Sequence, residues 1–322
     1  MSKENDYVLI IGSSNIDLNV YSKRFPNPGE TVTGGVFKQF LGGKGANQSV
    51  ASIRSGAKTI FIGKIGMDLF GDQMISQLTK EGINMNNVIR DPEEHSGVAL
   101  ILIDENGENM ISVAPGANFK MTPQEIRSVS NIIKKAKSLV VQMEIPIETI
   151  REIFRIASDG NVIKILNPAP LKSIPIEILK MVDIIVPNEG ELYRLHSFFD
   201  FKELNKEGTQ KIIQAAKNIS NLGIRYIITT LGSKGCLIYD GIEDKSFEIP
   251  APKVKAIDTV GAGDCFIGVL ASMLSKGENI LSAVKFATVA ASIAVTRKGA
   301  QESMPYLYEI ENRLKVLNLY EK

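Results

Sequence analysis

The chain alternates short apolar runs with longer amphipathic stretches. Residues 7–11 form an apolar run that ends at Gly12, the pattern of a buried strand. Residues 58–62, 138–142, 162–166, 183–186 and 226–230 repeat that pattern. Between them, residues 69–81, 123–135, 147–158 and 209–222 carry apolar positions at helical spacing. Thr122-Pro123 opens one of these stretches with a capping side chain and a proline at the first helical position. Strand and helix in alternation predict an α/β fold of three layers, a mainly parallel sheet flanked by helices on both faces.

Two regions break that rhythm. From Asn15 to Val20 polar and apolar residues alternate, which predicts a strand with one wet face carrying Asn15 and Asp17. Residues 30–40 alternate likewise. Residues 98–103 and 109–113, joined by Asn106-Gly107, read as a hairpin with no helix between its strands. Together, segments of about 14–40 and 96–115 predict a small separate β-sheet acting as a lid over the strand ends, where open α/β sheets bind ligands. An ordinary edge extension of the main sheet is the alternative. No internal repeat or low-complexity linker divides the chain, so residues 1–322 read as one domain with this excursion.

With 322 residues, 44% of them hydrophobic, the chain can bury a large core, and wholesale disorder is excluded. Net charge is +1 and the basic residues are dispersed, so no electrostatic footprint for nucleic acid or an anionic membrane is expected. Any affinity for phosphate has to be local. Cys236 and Cys265 lack CxxC spacing, which argues for a reducing compartment and against a disulfide framework or a zinc site. Cys265 follows an aspartate, but the two histidines, His95 and His196, lie in no motif that would activate it. The first residues, MSKENDY, are polar, and no run reaches the ~18 apolar residues of a membrane span. A cytoplasmic protein is expected.

The strongest chemical signal is near the C-terminus. A strand-like stretch runs into Asp258-Thr259-Val260-Gly261-Ala262-Gly263-Asp264, and an apolar helical stretch, 262–274, follows at once. Glycines 261 and 263 permit a tight turn with bare amides, and the helix adds its unsatisfied N-terminal donors and the positive end of its dipole. Asp264 would stand beside an anion held there. That arrangement suits phosphoryl transfer to an alcohol, although a glycine turn before an acidic helix start also occurs in purely structural roles. Other phosphate motifs are missing: no GxxxxGK[ST] occurs, and Phe266 takes the third glycine position of a GxGxxG fingerprint.

Six blocks in order resemble the ribokinase-type (phosphofructokinase-B-like) sugar kinases. They are Gly42-Gly43-Lys44-Gly45-Ala46-Asn47-Gln48, Gln142-Met143-Glu144, Asn167-Pro168-Ala169-Pro170, Pro187-Asn188-Glu189-Gly190-Glu191, Thr230-Leu231-Gly232-Ser233-Lys234-Gly235 and the 258–264 run. The resemblance extends from Gly12 to about Pro305. Asn15-Ile16-Asp17, Pro28-Gly29-Glu30-Thr31 and Val295-Thr296-Arg297-Lys298-Gly299-Ala300-Gln301 are most similar to the ribose-phosphorylating members.

The resemblance implies ATP-dependent phosphorylation of the 5-hydroxyl of D-ribose, with another sugar (deoxyribose, fructose) or an idle sugar-sensing role as alternatives. It makes Asp264 the general base and the amides of Gly261, Ala262 and Gly263 the anion hole. Asn15, Asp17, Gly43, Lys44, Asn47 and Glu144 become sugar ligands. Asn188, Glu191, Thr230, Gly232, Ser233, Gly235, Gly263 and Thr288 fall on the side of ATP and Mg²⁺. A K⁺ site would draw on Asp258, Val260, Ala294, Arg297, Gly299 and Ser303, and most of these would offer backbone carbonyls. A homodimer joined through the lid sheets is also implied. Gly190, Cys265 and Val113-Ala114-Pro115-Gly116 depart from the family pattern.

Overall fold

The computed structural model describes residues 6–317 and is organised around an eight-stranded sheet. The elements begin with β1 (Tyr7–Ile11), β2 (Asn15–Tyr21), β3 (Val36–Gly42), α1 (Lys44–Arg54), β4 (Lys58–Ile62), β5 (Lys64–Gly66), α2 (Leu69–Lys80), β6 (Ile89–Asp91), β7 (Gly97–Ile103) and β8 (Asn109–Ala114). There follow α3 (Pro123–Ser128), α4 (Ser130–Lys135), β9 (Ser138–Gln142), α5 (Ile147–Ala157), β10 (Ile163–Asn167), α6 (Ile176–Leu179), β11 (Ile184–Ile185), α7 (Glu189–Ser197) and α8 (Gly208–Ser220). The chain closes with β12 (Tyr226–Thr230), β13 (Cys236–Asp240), β14 (Lys245–Ile249), α9 (Ala262–Ser275), α10 (Ile280–Ala294) and α11 (Leu307–Val316).

Strand order in the large sheet is β14-β13-β12-β11-β10-β9-β1-β4. The six strands from β12 to β4 are parallel, and β13 and β14 add an antiparallel edge. Strand pleating splits the core into two. Val8, Ile10, Val140, Ile165 and Ile228 face α1, α9 and α10, whereas Leu9, Ile11, Val141, Leu166 and Ile227 face α5 and α8. Helix α9 is apolar around its whole circumference, and every residue from Asp264 to Ser275 is buried. That burial fixes the first turn of α9 against α1 and is what holds the site in place.

The small sheet has the order β3-β2-β7-β8 and spans 15–42 and 97–114, close to the predicted lid segments. Register puts Asn15 opposite Gly42 and Gly97, and Asp17 opposite Phe40 and Ala99, so both polar residues lie on one face.

Three predicted elements are corrected. The strand expected over 30–40 starts only at Val36, because Gly34 takes φ +87° and interrupts the extended backbone. The helix expected over 123–135 is two helices, broken where Val129 turns to φ −105°, ψ 15°. The stretch expected to run strand-like into Asp258 is irregular over 250–258, because Pro250 and Pro252 lack ladder donors, and the unanticipated edge hairpin β13–β14 precedes it. Part of the polar N-terminal stretch, residues 1–5, lies outside the described residues. Among the described residues no helix is long and apolar enough to cross a membrane.

Candidate active site

Most of the singled-out residues sit at or just beyond the carboxyl ends of parallel strands. Ser13 and Asn15 follow β1, Glu144 follows β9, Asn167 ends β10, Asn188 follows β11 and Thr230 ends β12. Helices α1 and α9 bring the two glycine-rich signatures to the same place. Gly43, at φ +87°, precedes α1, and Gly261, at φ +74°, precedes α9. At Gly261 a side chain would be strained by that φ and would also stand 3.0 Å from the Ala300 backbone. A side chain at Gly263 would meet nothing within 4 Å, so the turn presents bare backbone to an open cleft.

Asp264 is buried in the first turn of α9, and amides hold both its oxygens. Asn47 Nδ2 donates to Oδ2 at 3.0 Å and Gln48 Nε2 donates to Oδ1 at 2.9 Å. Gln301 Nε2 in turn donates to Asn47 Oδ1 at 3.2 Å. These donors fix the orientation of the carboxylate in the first turn of α9.

The expected sugar ligands gather beside Asp264. Glu144 accepts from the Ser13 hydroxyl and, at 3.2 Å, from the Lys44 amide. Asn15 is clamped by Asn118, whose Nδ2 donates to Asn15 Oδ1 at 2.8 Å and to the Ser14 carbonyl at 3.1 Å. Asn118 Oδ1 accepts from the Ser14 amide at 3.0 Å. Asn118 carried no sequence signal: it lies in a short 3-10 turn outside every motif, and only the fold shows that it orders the Ser14–Asn15 backbone. Burial, reinforced by Glu144, Glu302 and Asp264, pushes the Asp17 carboxyl up to about 6. Carboxylates crowded in this way could accept from several hydroxyls of one ligand, and each buried hydroxyl left unpaired would cost about 1–3 kcal/mol.

Lys44 links the two ends of the site. The negative charge of Asp264 raises its ammonium pKa against the effect of burial, with smaller contributions from Glu144 and Glu191. Its side chain lines a cleft of about 790 Å³ that also contains Asn188, Glu191, Thr230, Gly232, Ser233, Gly235, Thr288 and the 261–264 turn. Asn15, Asp17, Gly43, Asn47 and Glu144 do not line that cleft. The two groups therefore meet at Lys44 and Asp264. One wall of the cleft, Ala251 to Val254 with Ala256, was not foreseen, since this irregular segment of mixed small, apolar and basic residues carries no motif.

Asn188 and Glu191 also have a local role. The Asn188 side chain accepts from the Glu191 amide at 2.8 Å, and Glu191 Oε2 accepts from the Asn188 amide at 2.9 Å, a capping box at the start of α7. Burial raises the Glu191 carboxyl pKa. Thr288 donates to the Val284 carbonyl at 2.8 Å, so its hydroxyl is already engaged within α10. Burial pushes the Cys265 thiol far up, which leaves it no thiolate for nucleophilic work.

The candidate cation ligands are partly assembled. Asp258 Oδ1 accepts from the Val260 amide and Oδ2 from the Gly299 amide, both at 3.0 Å, so three of the six positions meet at one carboxylate. The Ala294 carbonyl accepts from the Arg297 amide at 3.0 Å. Ser303 Oγ donates to the Ala300 carbonyl at 2.7 Å, and the Arg297 side chain pairs with Glu309. The Asp258 carboxylate is thus met here by main-chain amides of the same segments whose carbonyls the cation site would use.

A buried carboxylate at a glycine-turn helix start, between a polar pocket and a cleft of about 790 Å³, suits phosphoryl transfer to an alcohol. Residues 5–307 match the model of the pfkB family carbohydrate kinases. The chain is 39% identical to a ribokinase of Staphylococcus aureus over 94% of its length and 98% of that protein. It is 34% identical to a deoxyribokinase of Salmonella typhi, covering 95% of this chain and 98% of that one. The solved structure of Arabidopsis thaliana ribokinase complexed with ribose and ATP superposes with a TM-score of 0.88 at 30% identity, over 96% of this chain and 98% of the other. The chain belongs to the pfkB family of carbohydrate kinases.

Proposed function

We propose that this chain transfers the γ-phosphoryl group of ATP to the 5-hydroxyl of D-ribose, giving ribose 5-phosphate and ADP. The observation that carries the reading is the placement of Asp264. Two amides hold its carboxylate at the junction of the polar pocket and the cleft, directly after the 261–263 turn. Asp264 accepts the proton of the sugar hydroxyl as that oxygen attacks phosphorus, the proton moving as the P–O bond forms. The amides of Gly261, Ala262 and Gly263, with the dipole of α9, stabilise charge on the phosphoryl group in flight. The Lys44 ammonium, held charged by Asp264, faces the same place.

Asn15, Asp17, Gly43, Asn47 and Glu144 orient the sugar. Asn188, Glu191, Thr230, Gly232, Ser233 and Gly235 receive the nucleotide, and Thr288 lines its far end. Glu191 is the carboxylate on that side suited to Mg²⁺, which when bound shields the phosphate charges and keeps several of its waters. Asp258, Val260, Ala294, Arg297, Gly299 and Ser303 would hold K⁺, whose positive charge would support the neighbouring turn. The small sheet acts as a lid that excludes water, a competing phosphoryl acceptor. Its exposed Val36, Phe37, Leu100, Met110, Ile111 and Val113 support pairing with the lid of a second copy. We read the chain as one such domain working in the cytoplasm.

A second reading, phosphorylation of 2-deoxyribose, is supported by the deoxyribokinase relative. The two sugars differ at the C2 hydroxyl, and discrimination would rest on how Asn15, Asp17 and Glu144 meet the C2 and C3 hydroxyls. An ATP-coupled assay over ribose, 2-deoxyribose and fructose, with ³¹P identification of the product, tests the proposal. Ribose should give the highest kcat/KM and a 5-phosphate. A higher value for 2-deoxyribose or fructose would replace the substrate, and no turnover of any sugar would point to a sensing role.

A further inference from the structure

Beneath Asp264 lies a chain of buried amides that phosphoryl transfer itself does not require. It starts at a main-chain carbonyl. Asn167 Nδ2 donates to the Val186 carbonyl at 3.2 Å, and because that carbonyl can only accept, the Asn167 amide has its orientation fixed, with Oδ1 turned toward α1. Gln48 Nε2 donates to that Oδ1 at 3.2 Å and to Asp264 Oδ1 at 2.9 Å, so both of its hydrogens are committed. Its Oε1 must then accept, and Gln142 Nε2 donates to it at 2.6 Å.

The far end is unusual. Gln142 is fully buried, and among the described residues its Oε1 has no hydrogen-bond partner. An apolar side chain at 142 would avoid that uncompensated acceptor. The Gln142 amide is held where it is by close packing: a side-chain carbon on Gly12 would lie 1.8 Å from Oε1. A buried amide kept in place with one atom unmet points to a use for its other atom, and that atom orients Gln48.

We infer that Gln48 is a positioning residue for the base, and that Asn167 and Gln142 fix which way its amide faces, so that the Val186 carbonyl, Asn167, Gln48 and Gln142 set the direction of the Asp264 lone pair that receives the sugar proton. This rests on Asp264 being the base. Oδ1 is held by Gln48 and Oδ2 by Asn47, so both carboxylate oxygens have a fixed donor that resists rotation of the group. Lys44, Glu144, Asp17 and Glu302 are the charged groups around it, and none of them hydrogen-bonds to the Gln48 amide.

The test uses Gln48→Met and Gln48→Glu in the full-length protein, read by steady-state kinetics and by calorimetric sugar binding without ATP. Gln48→Met keeps the shape and removes the donor, and freeing a catalytic group to wander costs up to about 10²-fold. We expect kcat to fall about 10–10²-fold while sugar Kd stays within about threefold. Gln48→Glu sets a second carboxylate against Asp264 and should lose more than Gln48→Met. If neither folds, Gly12→Ala displaces Gln142 without altering Gln48, and should lower kcat about three- to tenfold at unchanged sugar Kd. Asp264→Asn is measured in parallel. A Gln48→Met enzyme with parental kcat, or one whose loss falls on sugar affinity, overturns the positioning role while an inactive Asp264→Asn leaves the base in place. An Asp264→Asn enzyme with near-parental kcat overturns both.

Discussion

Replacing Asp17 by Asn should make the protein more stable and a worse enzyme. Asp17 lies on the inner face of β2, where burial and the neighbouring Glu144, Glu302 and Asp264 raise its carboxyl from 3.8 to about 6. The folded protein therefore holds this proton to higher pH than the unfolded chain does. Stability falls as pH rises from about 4 to about 6, and the whole loss persists above that window. A shift of about two units corresponds to about 3 kcal/mol. Partial access to solvent screens part of that, leaving about 1–3 kcal/mol. Asparagine keeps the shape and removes the charge. At pH 8 we expect Asp17→Asn to melt about 2–4 °C above the parent, with the difference narrowing as pH falls toward 4, where Asp17 is protonated in the folded state and about half protonated in the unfolded chain. Sugar KM should rise, since a carboxylate accepts hydroxyl protons more strongly than an amide. Thermal melts of both proteins from pH 4 to 8 decide the matter. A variant no more stable than the parent at pH 8 would show that Asp17 is not held at electrostatic cost for the sake of its ligand.

Gly42→Ala should act on the same carboxylate from the opposite strand, because the added carbon would stand 2.3 Å from Asp17 Oδ2. Displacing Asp17 removes charge-assisted hydrogen bonds to the sugar, and sugar KM should rise about 10–10²-fold with kcat nearly kept; an unchanged KM would take Asp17 out of the sugar site. Exchange of K⁺ for Na⁺ or Li⁺ in depleted buffer should lower kcat, and a constant rate would remove the cation role from the Asp258–Gly299 loop.

The parallel sheet was legible because its strands are buried on both faces and bounded by clear helical patterns. The expected bounds of 58–62, 138–142 and 226–230 agree with β4, β9 and β12. The small sheet was legible from alternation and from the Asn106-Gly107 turn. What failed did so for local reasons. The apolar period runs straight through 123–135, so the kink at Val129 leaves no trace in the pattern. Lys245–Ile249 is largely exposed and mixed in character, so nothing marks it as an edge strand. At the site, glycine turns and adjacent acids carry their chemistry in the order of residues, and the fold brings their matching residues together. Asn118, Gln142 and the 251–256 wall act through tertiary contacts alone. Gln48 and Gln142 stood inside quoted motifs, yet their link to Asp264 appears only when α1, β9 and α9 are packed together.

The central claim is that Asp264 takes the proton from the sugar. Single-turnover phosphorylation by Asp264→Asn, with sugar binding measured separately, tests it most directly. The account predicts a rate lower by about 10²–10⁴-fold with sugar still bound at near-parental affinity. A rate within a few-fold of the parent would contradict it.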